Sequence, residues 1–260
     1  MSNKNYITVD GRRYTSRLFH CFGGEDTKLN LDLIVDLIKE SETEFIVFNT
    51  HNICNVKRKG DLSVGFSSIT LSEINERIDL SKYTLLNNIN HAKNWKEAVE
   101  RAVRSFEISG NKIMKLEVLN DDLKTSNDKE VVKAAEALVK KGFEVMPLIS
   151  CDMNVAKKLE AVGCCLIRIM GSPIGSMRGL DNVQTADAIF KEIEIPVIID
   201  GGIGTPQHVI EAMSLGAYGV LVNSSLFASR DPVLMIKTMK NAVIAGRNYY
   251  LEKNKMLVYG

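Results

Sequence analysis

Lys115 and Glu117 stand two residues apart in the otherwise apolar run Ile113-Met114-Lys115-Leu116-Glu117-Val118. Successive side chains of a strand point to opposite faces, so Met114, Leu116 and Val118 share one face while Lys115 and Glu117 share the other. A third ionisable group, Asp200, closes the apolar run Val197-Ile198-Ile199. An amine and carboxylates in such company have two readings. One is a buried ion pair that merely satisfies itself, because buried charges are normally paired. The other is a nucleophile: a neutral lysine adds to a ketone to form an imine, and nearby carboxyl groups move protons on and off the adjacent atoms. Burial lowers the pKa of such an amine and a neighbouring carboxylate raises it; the sequence leaves open which prevails.

A phosphate site is legible further along. Gly201-Gly202-Ile203-Gly204-Thr205-Pro206 combines glycines that permit close backbone approach with a threonine suited to cap a helix and a proline suited to its first turn. The free N–H groups of that helix start are expected to face an anion. Asn223-Ser224-Ser225 precedes a short segment ending near Asp231-Pro232. Gly171-Ser172-Pro173-Ile174-Gly175-Ser176 offers a third wall, with Arg178 either reaching the anion or lying solvated on the surface. The alternative is that these glycines only turn the chain.

The elements that must hold these residues follow from the alternation of short apolar runs with amphipathic stretches. Strands are expected near Leu18–Cys21, Phe45–Asn49, Thr84–Asn87, Lys112–Val118, Phe143–Pro147, Leu166–Ile169, Val197–Asp200 and Gly219–Val222. Helix-period segments lie between them, the clearest from Asp128 to Lys141 and ended by Gly142; others run from Leu180 to Ile193 and from Pro206 to Leu215, the last stopped by Gly216. The stretch from His51 to Ser68 reads as a long loop after the second strand. Strands alternating with crossover helices predict an α/β fold, a (β/α)₈ TIM barrel spanning residues 1–260 as one domain, with Lys115, Glu117 and Asp200 at its C-terminal mouth and the Gly201–Gly204 and Asn223–Ser225 segments at the usual phosphate position after strands seven and eight. A doubly wound sheet usually carries a glycine fingerprint after its first strand; His20-Cys21-Phe22-Gly23-Gly24 is not one.

Composition limits the partners. Lys and Arg number 33 against 32 Asp and Glu, a net charge of +1, so no overall field favours nucleic acid or an anionic membrane. Apolar runs such as Glu194-Ile195-Pro196-Val197-Ile198-Ile199 are far shorter than the roughly 18 residues that span a bilayer. The polar start, Met1 to Asp10, lacks the order of a secretory signal, and a cytoplasmic protein is expected. Cys21, Cys54, Cys151, Cys164 and Cys165 form neither a disulfide framework nor zinc-like spacing, so no metal or other cofactor is expected. His51 and Cys54 come nearest to a metal half-site but read better as ordinary loop residues.

At Lys115-Leu116-Glu117, Gly171-Ser172-Pro173-Ile174-Gly175-Ser176, Asp200-Gly201-Gly202-Ile203-Gly204 and Asp231-Pro232-Val233 the chain resembles the thiazole synthase family of bacterial thiamine biosynthesis, from about Lys28 to Arg247. The resemblance implies a transferase in which Lys115 forms an imine with 1-deoxy-D-xylulose 5-phosphate and Glu117 and Asp200 act as acid/base groups. Gly175, Gly201, Gly202, Asn223 and Ser224 would line the phosphate region. It further implies sulfur delivered as a thiocarboxylate on the C-terminus of a small sulfur-carrier protein, condensation with dehydroglycine to the thiazole phosphate, and a homotetramer. The N-terminal loops depart from the family. Cys21-Phe22-Gly23-Gly24-Glu25-Asp26 replaces a Gly-Thr-Gly-Lys type segment, and Asn87-Asn88-Ile89-Asn90-His91 replaces an Asn-Thr pair followed by small residues. The basic pair expected after the second strand has no clean counterpart in Asn49-Thr50-His51-Asn52, and the ending Tyr249 to Lys255 also differs. Two alternatives therefore stand beside the leading reading: an imine-forming relative with another sulfur donor or amine, and a phosphosugar-binding barrel without turnover.

Overall fold

The computed structural model describes residues 6–24, 27–50 and 53–256. The chain opens with an antiparallel hairpin, β1 (Ile7–Val9) and β2 (Arg12–Tyr14). Its turn is Asp10-Gly11, both at positive φ, the residue pair that fits the twist of a two-residue hairpin. The strand expectations above do not include this hairpin, although Asp-Gly between alternating residues is its usual sign.

Parallel strands and helices then alternate: β3 (Leu18–His20), α1 (Leu31–Ser41), β4 (Phe45–Asn49), α2 (Leu71–Asn75), β5 (Thr84–Ala92), α3 (Trp95–Ser109), β6 (Ile113–Val118), α4 (Asp128–Lys140), β7 (Glu144–Ile149), α5 (Met153–Val162), β8 (Ile167–Ile169), α6 (Val183–Glu192), β9 (Val197–Asp200), α7 (Pro206–Leu215), β10 (Gly219–Val222), α8 (Ser224–Ala228) and α9 (Pro232–Met256). The sheet order β3-β10-β9-β8-β7-β6-β5-β4 is that of a (β/α)₈ barrel. At the seam between β3 and β4 the closure is made by side chains: Phe19 and Phe45 stack with ring centroids 5.1 Å apart. Glu44 accepts the backbone N–H groups of Thr15 and Ser16 at 2.6 and 2.7 Å, tying the strand that follows the hairpin to β4.

Strand positions follow the sequence expectations closely, with one larger difference. The third barrel strand continues five residues past Asn87 to Ala92, through a register shift between Ile89 and Ala92. Its polar upper half, Asn88 to His91, masks the apolar alternation by which strands are recognised. The long second crossover carries short 3-10 turns and the brief α2, which Thr70 and Glu73 start with a capping box.

Burial separates two apolar layers. Met114, Leu116 and Val118 belong to the layer between barrel and helices, with Val131, Ala135 and Leu138 of α4. Phe19, Phe45, Val47, Leu86, Ile113, Met146, Ile198 and Leu221 fill the barrel interior, and Ile7, Val9 and Tyr14 of the hairpin join them. Lys115 and Glu117 therefore face inward, as alternation requires.

Candidate active site

The ladder sets the floor of the site. Asn88 of β5 lies directly opposite Lys115 of β6, and Lys115 opposite Met146 of β7. Inward-facing side chains on these strands meet in the barrel lumen. Lys115 Nζ donates to Glu117 Oε1 and, at 3.2 Å, to Asn88 Oδ1; Asp200 Oδ2 lies 4.0 Å away. A fourth charged group completes the set: Arg168 of β8 donates from Nη1 to Glu117 Oε1 at 3.0 Å and to Asp200 Oδ2. Lys115, Glu117, Asp200 and Arg168 are only 4, 8, 6 and 1% exposed. Two cations and two anions thus share one enclosed volume, and their formal charges cancel.

Opposing influences act on the amine. Burial and the Arg168 guanidinium push the Lys115 ammonium down, but the carboxylates Glu117 and Asp200 oppose them and it is held above its ordinary value. For Glu117, burial pushes upward and is overcome by Lys115 and Arg168, which hold the carboxyl down at about 2. The resting site holds an ammonium hydrogen-bonded to a carboxylate, an arrangement in which the amine has a proton acceptor already in contact.

Lys115, Glu117, Asp200, Gly175, Gly201, Gly202, Asn223 and Ser224 all line one cavity of about 210 Å³, together with Cys21, Asn88, Asn90 and His91. Gly202 shows why glycine is needed there. It has φ of +82°, and a Cβ on it would meet Ser172 Oγ and lie 2.7 Å from both Ser172 N and the Gly179 carbonyl. Asn223 follows β10 directly, with its Oδ1 accepting from Gly23 N at 2.7 Å, so its side chain fastens the loop after β3 to the loop after β10.

Thr205 caps α7 and Pro206 occupies its first turn as expected. The cavity wall, however, is made by Gly201, Gly202 and Ile203 of the strand–helix loop and not by Gly204 to Pro206. Arg178 is exposed and pairs with Asp181 at 2.5 Å, three residues on, off the cavity wall, which matches the solvated-surface alternative of its two readings. Cys54 is exposed, and His51 lies outside the described residues. Among the described residues no three His, Cys, Asp or Glu side chains cluster as a metal site.

Two site residues escaped the sequence reading. Arg168 sits between Ile167 and Ile169, a lone cation inside an apolar strand, and that break in pattern was its available sign. Asn88 was masked by the polar run around it, and only the ladder register puts it beside Lys115.

A buried lysine between two carboxylates at the C-terminal mouth of a (β/α)₈ barrel, beside the glycine-bearing loops after β8 and β9, defines an enzyme of the barrel class that acts on small molecules. The sequence model of the thiazole biosynthesis protein ThiG matches residues 8–257, and the chain belongs to this family of thiamine thiazole biosynthesis. It is 38% identical over 258 residues to the thiazole synthase of Prochlorococcus marinus strain MIT 9215, covering 96% of this chain and 92% of the relative. The thiazole synthase of Citrifermentans bemidjiense is 39% identical over 247 residues, covering 94% and 89%. Among solved structures, that of the Amycolatopsis orientalis BexX/CysO complex superposes with a TM-score of 0.84 at 29% identity, over 96% of this chain and 97% of the other. The Pyrococcus furiosus thiamine phosphate pyrophosphorylase, at 14% identity and a TM-score of 0.56 over 89% and 96%, shares the fold.

Proposed function

We propose that the chain forms thiazole phosphate from 1-deoxy-D-xylulose 5-phosphate, dehydroglycine and the thiocarboxylate of a small sulfur-carrier protein, with the sugar held as an imine on Lys115. The observation that carries this reading is the Lys115–Glu117 hydrogen bond inside a cavity that also contains the glycine loops. The Lys115 ammonium passes a proton to Glu117, and the freed amine adds to the ketone carbon to give a carbinolamine. Glu117 returns that proton to the carbinolamine oxygen, directly or by way of Asp200, water leaves, and a protonated imine remains. That iminium carries the same single positive charge as the ammonium it replaces. The balance with Glu117, Asp200 and Arg168 is therefore unchanged, and no uncompensated charge is left buried.

In this reading Gly175, Gly201, Gly202, Asn223 and Ser224 hold the phosphate. The family and the BexX chain seen together with CysO support a protein partner as the sulfur source. Assembly as a homotetramer and a cytoplasmic location belong to the same proposal; among the described residues no helix is long and apolar enough to cross a membrane. The test is intact-protein mass spectrometry after incubation with 1-deoxy-D-xylulose 5-phosphate and borohydride. A reduced adduct in the wild type that disappears in Lys115→Ala is expected, and absence of any adduct in folded wild-type protein overturns the imine. Product formation with the carrier thiocarboxylate then separates thiazole synthesis from an imine enzyme with a different sulfur donor.

A further inference from the structure

Arg168 is the largest wholly buried side chain in the protein among the described residues. Its guanidinium is fixed by two arms on backbone carbonyls of neighbouring strands: Nε donates to Met146 O of β7 at 3.0 Å, and Nη2 to Leu116 O of β6 at 2.8 Å. Because the guanidinium is planar and rigid, fixing two arms fixes the third. That third arm, Nη1, donates to both Glu117 and Asp200. The two carbonyls occupy its other arms, so the charge of the guanidinium reaches the two carboxylates through Nη1 alone.

The charges facing Glu117 are Lys115 on its own strand, Arg168 on β8 and Asp200 on β9. Cys21, just past β3, stays a neutral thiol because burial raises it to about 11. His91 is the remaining titratable group on the cavity wall. With Lys115 as the only cation, two carboxylates in this enclosed site would carry an excess negative charge, and one of them would take up a proton.

We propose that Arg168 is the positioning residue of the Lys115 site: by holding Glu117 and Asp200 on a single nitrogen it keeps both turned toward the amine, so that Glu117 stands ready to accept the proton Lys115 must lose. The proposal rests on the imine reading of Lys115, and it assigns Arg168 a role exerted through the two carboxylates without contact to the sugar.

The experiment is the pH dependence of borohydride-trappable adduct formation in wild type, Arg168→Met and Arg168→Lys. For Arg168→Met the acid limb is expected to move up by about one pH unit or more, with a maximal rate lowered about tenfold to a hundredfold. Arg168→Lys is expected to restore the limb but not the rate, since a point charge cannot hold two carbonyls and two carboxylates at once. Folded variants that keep the wild-type limb and lose only thermal stability overturn the proposal. A second measurement depends neither on adduct formation nor on the folding of Arg168→Met. In Lys115→Ala, carboxyl-carbon NMR assigned with Glu117→Gln is expected to find Glu117 titrating at least about one unit below the ordinary glutamate value of about 4.3, with Arg168 its remaining partner; titration at that ordinary value or above overturns the proposal. A wild type without adduct refutes the imine reading, and the NMR titration then decides the role of Arg168 by itself.

Discussion

Lys115 Nζ lies 3.2 Å from Asn88 Oδ1, on residues directly opposite one another in the β5–β6 ladder. The amine is therefore held by a neutral acceptor from one strand and by carboxylates from two others. Asn88→Asp would place a third carboxylate at this distance and stabilise the ammonium further. Trappable imine is then expected to form about tenfold more slowly at neutral pH, the effect of one unit of pKa. Asn88→Ala should cost less, about the worth of one hydrogen bond. Stopped-time borohydride trapping measures both, and equal rates for wild type and Asn88→Asp would show that deprotonation of the amine does not limit the step.

Gly202 and Gly175 both have positive φ, but only Gly202 is crowded. A methyl group on Gly175 would have Ser224 Oγ as its nearest neighbour, at 4.0 Å, whereas one on Gly202 would run into Ser172 and the Gly179 backbone. Gly175→Ala should cost about 1 kcal/mol of stability from backbone strain. Gly202→Ala should cost more and should weaken sugar-phosphate affinity, because the loop must shift away from the cavity. Chemical denaturation and calorimetric titration separate the two effects; equal behaviour of the two variants contradicts the close approach.

The stacked pair Phe19 and Phe45 closes the barrel at the β3–β4 seam, and Tyr14 packs on Phe45 with centroids 4.5 Å apart. Phe45→Ala should destabilise the protein by about 3–5 kcal/mol, the usual range for removing a buried phenylalanine. Phe45→Leu should lose much less. Urea denaturation is the direct measure, and a loss under about 1 kcal/mol for the alanine variant would mean that the seam is held elsewhere.

His20 is fully enclosed against α1, bonded through Nε2 to Ser41 Oγ at 3.2 Å, and burial lowers its pKa to about 4. The folded state therefore binds its proton less readily than the unfolded chain. Stability from this group is full above the ordinary histidine value, about 6.5, and is lost as pH falls toward 4, by roughly 3 kcal/mol in all. Glu117, held down at about 2, adds a second loss below the ordinary carboxylate range. Melting temperature followed from pH 7 to about pH 4 should fall in wild type and fall less in His20→Leu. Parallel curves would place the acid sensitivity in other groups.

Much of this protein was determined by local sequence. Period-two alternation put Lys115 and Glu117 on the inner face, glycine and capping residues marked the ends of α4 and α7, and the loops after β9 and β10 were marked by Gly201, Gly202, Asn223 and Ser224, which line the same cavity as Lys115. These features are legible because each depends on neighbours within a few residues. The tertiary structure decided the rest. Arg168, 51 residues from Glu117 and 32 from Asp200, joins them only because parallel strands of a closed sheet converge on one lumen. Asn88 meets Lys115 through ladder register, and Arg178 pairs with Asp181 three residues on, away from the cavity wall. The protonation state of Lys115 depends on how burial, two carboxylates and a second cation sum in space, which is a property of distances and not of order along the chain.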